Sequence, residues 1–282
     1  MDYSVDFGSS TIDVVSWKGG RIAGIRSFER YPKYKSVEPV KFLVDQKNLF
    51  RNAGRIFVTG GKSRSLPATF EGVRVTKVSE IEAIGRGGYF LYELSLSVTE
   101  RKKVQRMLVV SMGTGTCMVE VRKGKKGYLG SRHIGGTGVG GGTFMGLSRR
   151  LLDETSPAKL KKMFARGDRK KVDLSVFDIV GSGIGVVPAD ATASNLARIS
   201  RSIDFSCNDL AAGIVNLVGQ TIGILSVFAA KAHKCDLVLL CGKLTGMEQV
   251  TEAVLFTGNM YKVKMVVPRQ AGFVSALGAY RK

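Results

Sequence analysis

An α/β fold built from two copies of one unit is what the sequence predicts, and three observations predict it. A strand, a small-residue turn, a second strand, a charged glycine turn and a third strand occur in that order once at the N-terminus and again from residue 107. The run IGGTGVGGGTFMGL over 134–147 places seven glycines in fourteen residues, directly before a stretch of helical character. Elsewhere strands and helices alternate, with glycine at the strand tips, the arrangement in which ligands sit at strand ends.

The first copy reads as a strand over 3–7, a turn of Gly8, Ser9, Ser10 and Thr11, a strand over 12–17, a turn at Lys18-Gly-Gly, and a strand over 21–28. The second reads as a strand over 107–110, the turn SMGTGT over 111–116, a strand over 117–121, the turn KGKKG over 123–127, and a strand from Tyr128 onward. One such hairpin can arise by chance. The same order twice, with Gly, Ser and Thr at the first turn both times, points to a duplicated nucleotide-binding half. A turn of these residues exposes consecutive N–H donors and hydroxyls, which suit phosphate oxygens. Two such turns facing one another would clamp a nucleotide's phosphates across a cleft. Asp6, ending the first strand, is placed either to cap its turn or to hold Mg²⁺ through water, since that ion keeps much of its hydration shell. The glycine run has two readings as well: a sharp loop, or bare backbone N–H groups brought up against phosphate.

The remaining elements follow in order. Residues 55–58 form a strand ending in Thr59-Gly-Gly, and 80–95 a helix despite Gly85, Gly87 and Gly88. Asn208 caps a long apolar helix over 209–234, with Asp209 set against its dipole. Residues 236–241 form a buried strand followed by Gly242-Lys243, residues 261–267 another, and 271–281 a closing helix.

Composition narrows the function classes. A chain of 282 residues with 44% hydrophobic side chains suits one or two domains with real cores. The best apolar stretch, 210–232, is interrupted by Asn216 and Gln220 and contains Lys231, so no membrane span is expected. The N-terminus has no signal-peptide pattern. Cys117, Cys207, Cys235 and Cys241 show no CxxC spacing and two histidines accompany them, which argues against zinc and for reduced thiols in the cytoplasm. The net charge of +20 raises nucleic acid as a partner. Yet the basic groups at 101–103, 123–126, 159–162 and 166–171 fall at element ends and loops without interleaved aromatics, so a solvated basic surface is expected and no specific nucleic-acid site.

These residues resemble the actin, hexokinase and Hsp70 superfamily and, within it, the type II (eukaryotic-like) pantothenate kinases. Four blocks carry the resemblance: DFGSST over 6–11, EIEA over 80–83 with Gly87, GTGT over 113–116, and the glycine run over 135–147. Supporting stretches are 167–169, 173–174, 188–190 with Asn195, and 271–279. The resemblance implies a duplicated actin-like (ribonuclease H-like) fold of two lobes around an ATP cleft. An N-terminal lobe would span 1–104, rejoined by the closing helix over 268–282, and a C-terminal lobe 105–267. It also implies transfer of phosphate from ATP, with Mg²⁺, to the primary hydroxyl of pantothenate, the first step of coenzyme A synthesis, by a homodimer open to inhibition by coenzyme A or acyl-CoA.

The resemblance assigns roles residue by residue. Glu80 matches the general base, whereas from the residues alone Glu80 and Glu82 are equally a solvated helix start. Asp6, Gly8, Ser9, Ser10 and Thr11, then Gly113, Thr114, Gly115 and Thr116, and then Gly138, Gly140, Gly141 and Gly142 match the nucleotide contacts, with Gly242 near the adenosine or simply turning the chain. Three positions depart from the family pattern. Asp13 stands where many members carry Lys, Cys117 where a substrate-contacting Ser is expected, and His133 where an Arg is expected to reach the substrate. Arg132 is adjacent but on the opposite face of an extended segment. Two departures lie on the side of the alcohol, so the acceptor is expected to be pantothenate or a related small alcohol. The rivals are a non-catalytic ATP-binding homologue and an ATPase activator coupled to an iron–sulfur cluster, the latter opposed by the cysteine arrangement.

Overall fold

In the computed structural model, which describes residues 1–29, 39–125, 127–201 and 203–281, the first hairpin unit becomes β1 (Asp2–Phe7), β2 (Thr11–Lys18) and β3 (Arg21–Glu29), an antiparallel meander. β4 (Arg55–Thr59) joins β1 in parallel, and β6 (Val73–Lys77) joins β4, with the short β5 (Thr69–Phe70) at the edge. Side chains alternate faces along each strand. Tyr3, Val5 and Phe7 with Ile12 and Val14 face outward into a core closed by Phe42 and Leu43 of α1 (Pro39–Asp45) and Phe50 of α2 (Lys47–Phe50). The opposite parity leaves Asp6, Asp13, Val15 and Trp17 on the inner face, where Asp6 and Asp13 are cross-strand partners.

The second unit repeats this plan. β7 (Arg106–Met112), β8 (Thr116–Gly124) and β9 (Gly127–Thr137) form the meander, and a later strand, β12 (Leu237–Cys241), joins the first of them in parallel just as β4 joins β1. β13 (Met265–Val266) extends the edge beyond β12. Lys126, part of the second charged turn, lies outside the described residues. Earlier in this lobe β10 (Leu174–Ser175) and β11 (Thr192–Ser194) form a separate two-stranded ladder. β7 and β12 are buried on both faces and read as continuous apolar runs, as central parallel strands do.

Two helices fill the space between the sheets. α3 (Glu80–Ser95) and, in last position, α10 (Val274–Tyr280) share a core with Trp17 of the first sheet and Met107, Val109, Val119 and Leu239 of the second. The helices meet at glycine: a Cβ on Gly87 would lie 1.9 Å from the Val274 carbonyl oxygen, and one on Gly278 would lie 1.8 Å from the Ala83 carbonyl oxygen. This close crossing is why the helix tolerates glycine there. α4 (Val98–Lys102) leads from α3 into β7. The outer face of the second sheet is covered by α5 (Gly141–Leu152), α6 (Pro157–Arg166), α8 (Cys207–Ala232) and α9 (Glu248–Met260), while α7 (Val176–Val180) follows β10.

Several local expectations change. β9 continues through Thr137, so the first glycines of the run belong to a strand with a bulge near Ile134 and only 138–140 turn the chain into α5. α8 is capped by Ser206, whose hydroxyl accepts from the Asp209 N–H while Asp209 reaches back, a reciprocal box that outcompetes Asn208. α8 ends at Ala232 and, by length and composition alone, could cross a membrane, but 56% of its most apolar window is buried in the protein. The expected strand over 261–267 shrinks to β13, because α9 runs to Met260 and Lys262 takes a left-handed conformation with φ 56°. The closing helix begins with a 3₁₀ turn over Ala271–Phe273.

Candidate active site

A cavity of about 890 Å³ opens between the two hairpin units, within the range that holds small ligands. Asp6, Gly8, Ser9, Ser10 and Thr11 line it from the first sheet, and Gly113, Thr114, Gly115, Thr116 and Cys117 from the second. Glu80, Gly141 and Gly242 complete the wall among the positions expected from sequence. Gly138, Gly140 and Gly142 lie outside it, as does His133. Gly141 and Gly142 donate their N–H groups to the carbonyls of Gly113 and Thr114, 2.8 Å each, so these glycines fasten α5 to the second turn. Gly141, the first residue of α5, thereby sits on the cavity wall.

The two turns are in contact. Ser9 Oγ shares a hydrogen bond with Thr114 Oγ1, and Ser10 Oγ lies 3.2 Å from the same oxygen. Thr116 is held from behind, donating to the Val139 carbonyl at 2.8 Å.

Carboxylates converge beneath the turns. Burial, then Asp13 and Glu80 beside it, push the Asp6 carboxyl up to about 7, against opposing help from Lys243 and Ser275. Asp13, which replaces the expected Lys, is itself buried and is paired with Lys243 at 2.7 Å. Pairing occupies Asp13, so of the two cross-strand carboxylates Asp6 is the one without an ion pair among the described residues. A single carboxylate with waters and phosphate oxygens is a donor set that suits Mg²⁺, so Asp6 fits the role of holding it.

Glu80 is the first residue of α3, exposed on the cavity wall, and makes no hydrogen bond or ion pair among the described residues. Glu82 differs. It pairs with Arg86 at 2.7 Å and accepts from Ser131 at 3.1 Å, which ties α3 to β9. One helical position thus offers a free carboxylate to the cavity while the other is occupied structurally.

Also on the cavity wall, Cys117 shares its sheet face with Val119 and its thiol is pushed up to about 11 by burial and by Glu80, so it is neutral near pH 7. Arg132 turns to the opposite face and donates to the buried Glu120 at 2.7 Å. The stretches at 167–169, 173–174 and 188–190 meet away from the cavity: Asp173 accepts from the Leu196 N–H and Asn216, and Arg169 donates to Thr192. Lys243, which the sequence did not single out, lines the cavity too.

Residues 17–282 match the family Fumble, nearly the whole chain. The chain belongs to the Fumble family. Its relatives include the type II pantothenate kinase of Oceanobacillus iheyensis, 30% identical with 98% of this chain and 97% of that one covered. The type II pantothenate kinase of Bacillus cereus is 27% identical, with 98% and 96% covered. Among solved structures, this Fumble-family chain is similar in fold to the activator of 2-hydroxyisocaproyl-CoA dehydratase from Clostridium difficile with bound ADPNP, at TM-score 0.61 and 15% identity over 99% and 92% of the two chains. A ROK glucokinase from Streptomyces griseus in complex with glucose and AMPPNP matches at TM-score 0.58 and 12% identity over 99% and 97%. The Fumble-family fold is therefore the duplicated actin-like one, with two lobes.

Proposed function

We propose that the chain is a type II pantothenate kinase, transferring the terminal phosphoryl group of ATP to the primary hydroxyl of pantothenate. Near full-length similarity to enzymes of that name supports the reaction class. The observation that carries the residue assignment is Glu80, a carboxylate unpaired among the described residues on the wall of the same cavity as both Gly/Ser/Thr turns.

In this reading the turns at 8–11 and 113–116 bind and orient the phosphates, and the α5 N-terminus adds its dipole. Asp6 holds Mg²⁺, which when bound offsets charge on the phosphates. Glu80 accepts the hydroxyl proton, and being unpaired it is ready to do so. Gly242 lets the chain pass close beneath the nucleotide. Cys117 shapes the acceptor end, while His133 lies off the cavity and is left without a part. The lobes are 1–104 with 268–282, and 105–267; α10 packing on α3, β1 and β4 supports that division. The enzyme works as a cytoplasmic homodimer, with coenzyme A or acyl-CoA as inhibitors.

A second acceptor is favoured by one observation. The cavity presents the Cys117 thiol, a poor hydrogen-bonding group, and no imidazole from His133, so a small alcohol less polar than pantothenate also suits it. ADP release from Mg-ATP with pantothenate, pantetheine and sugars separates these. Pantothenate-dependent turnover that survives in Glu82→Gln and drops about 10²- to 10⁴-fold in Glu80→Gln supports the assignment. Faster turnover on another alcohol would replace pantothenate as substrate.

A further inference from the structure

The cavity gathers three carboxylates, Asp6, Asp13 and Glu80, before any phosphate enters it. Among the described residues lining it, Lys62 and Lys243 are the cations. Lys62 is exposed at the start of a 3₁₀ turn. Lys243 is built in. Gly242 before it has φ +92°, and a Cβ there would fall 2.4 Å from the Met112 backbone, so the chain can leave β12 in this direction only with glycine.

The Lys243 side chain crosses from the second sheet to the first. Its ammonium stands 2.7 Å from Asp13 Oδ1, donates to Ser27 Oγ at 3.3 Å, and lies 3.7 Å from the ring centroid of Phe273. Ser27 in turn donates to Asp13 Oδ1 at 2.6 Å. β2, β3 and the turn before α10 therefore fix one charge. The pair is lopsided: the Asp13 side chain is 5% exposed and that of Lys243 35%. The ammonium is ion-paired with Asp13 and donates to Ser27, and no further ion pair or hydrogen bond engages it among the described residues.

A pair that served only to join the lobes would have no need of a half-open ammonium on the wall that carries both phosphate turns. Resting on the nucleotide reading above, we propose that Lys243 supplies the protein's own cation for the phosphate chain of the bound nucleotide, with Asp13 as its positioning residue. Asp13 acts on the nucleotide through Lys243, holding the ammonium and presetting where that charge points, while it also faces Asp6 directly across the strand pair.

The test is calorimetric titration of the full chain with Mg²⁺ and AMPPNP, with thermal melting alongside. Lys243→Met should weaken nucleotide binding about tenfold or more, the effect of a charge-assisted hydrogen bond, and Lys243→Arg by much less. Asp13→Asn should weaken it less than Lys243→Met. The double variant Asp13→Asn/Lys243→Met should stay close to Lys243→Met and well below wild type, because Asp13 has nothing left to position; a small gain over Lys243→Met reports only its direct effect on Asp6. The double variant also removes both charges together, so it remains readable if Lys243→Met strands a buried carboxylate and fails to fold. Wild-type affinity in the double variant, with only the melting temperature altered, would overturn the proposal and leave a joining ion pair. A wild-type protein that binds no AMPPNP would instead refute the nucleotide reading itself.

Discussion

Ser9 in the first hairpin turn shares a hydrogen bond with Thr114 in the second, across 105 positions of sequence. Equivalent turns of the two repeats therefore touch at the mouth of the cavity. Entering phosphates must take over these hydroxyls, which exchanges one hydrogen bond for another in the same place. Thr114→Val removes the shared partner of Ser9 and Ser10. It should weaken AMPPNP binding roughly three- to tenfold, the worth of one or two neutral hydrogen bonds, with little change in melting temperature. Unchanged affinity would remove the turns from the phosphate site.

Gly87 and Gly278 test the packing between the sheets. A methyl group at either position meets a backbone carbonyl of the opposing helix, which cannot swing aside as a side chain could. Gly87→Ala and Gly278→Ala should each destabilise the protein by about 1–3 kcal/mol in urea unfolding, the usual range of overpacking. Because α3 carries Glu80 on its first turn, turnover should fall in both as the helix shifts.

Asp6 sets a pH dependence. Its carboxyl is raised from 3.8 to about 7, chiefly by burial, so between those values the folded state holds a proton that the unfolded state has released. Stability contributed by this group therefore falls as pH rises across that window. Asp6→Asn should flatten the decline between roughly pH 4 and 7 in denaturant titrations. In the proposed role of Asp6 only the ionised form would hold Mg²⁺, so Mg-nucleotide affinity should rise with pH through about 7 in the wild type and be flat in the variant.

Cys117 offers a chemical probe. Its thiol, pushed up to about 11, should react slowly with iodoacetamide near neutral pH, and more slowly than the exposed Cys207. Cys117→Ser should lower the KM for pantothenate and leave that for ATP unchanged, since a hydroxyl donates and accepts better than a thiol. A change confined to ATP would move Cys117 to the nucleotide side.

Much of this was legible in the sequence because it is local. Period-two alternation and Gly/Ser/Thr turns marked both hairpin units, and the residues at those turns line one cavity. Competition between neighbours was harder to read: Ser206 and Asn208 are both good caps, and the Asp209 partner decides between them. Lys262 looks compatible with a strand, yet its left-handed backbone closes α9. The glycines over 138–142 advertise free N–H groups, but two of those donors are taken by Gly113 and Thr114. Long-range pairing left no trace at all. Nothing near Asp13 points to Lys243, 230 positions away, which meets it only because both sheets bring their inner faces together.

The most direct test is detection by mass spectrometry of the product formed from Mg-ATP and pantothenate by the purified full chain. The expected result is 4′-phosphopantothenate in a one-to-one ratio with ADP, lost in Glu80→Gln. ADP without phosphorylated pantothenate, or tight nucleotide binding with no turnover, would contradict the assignment.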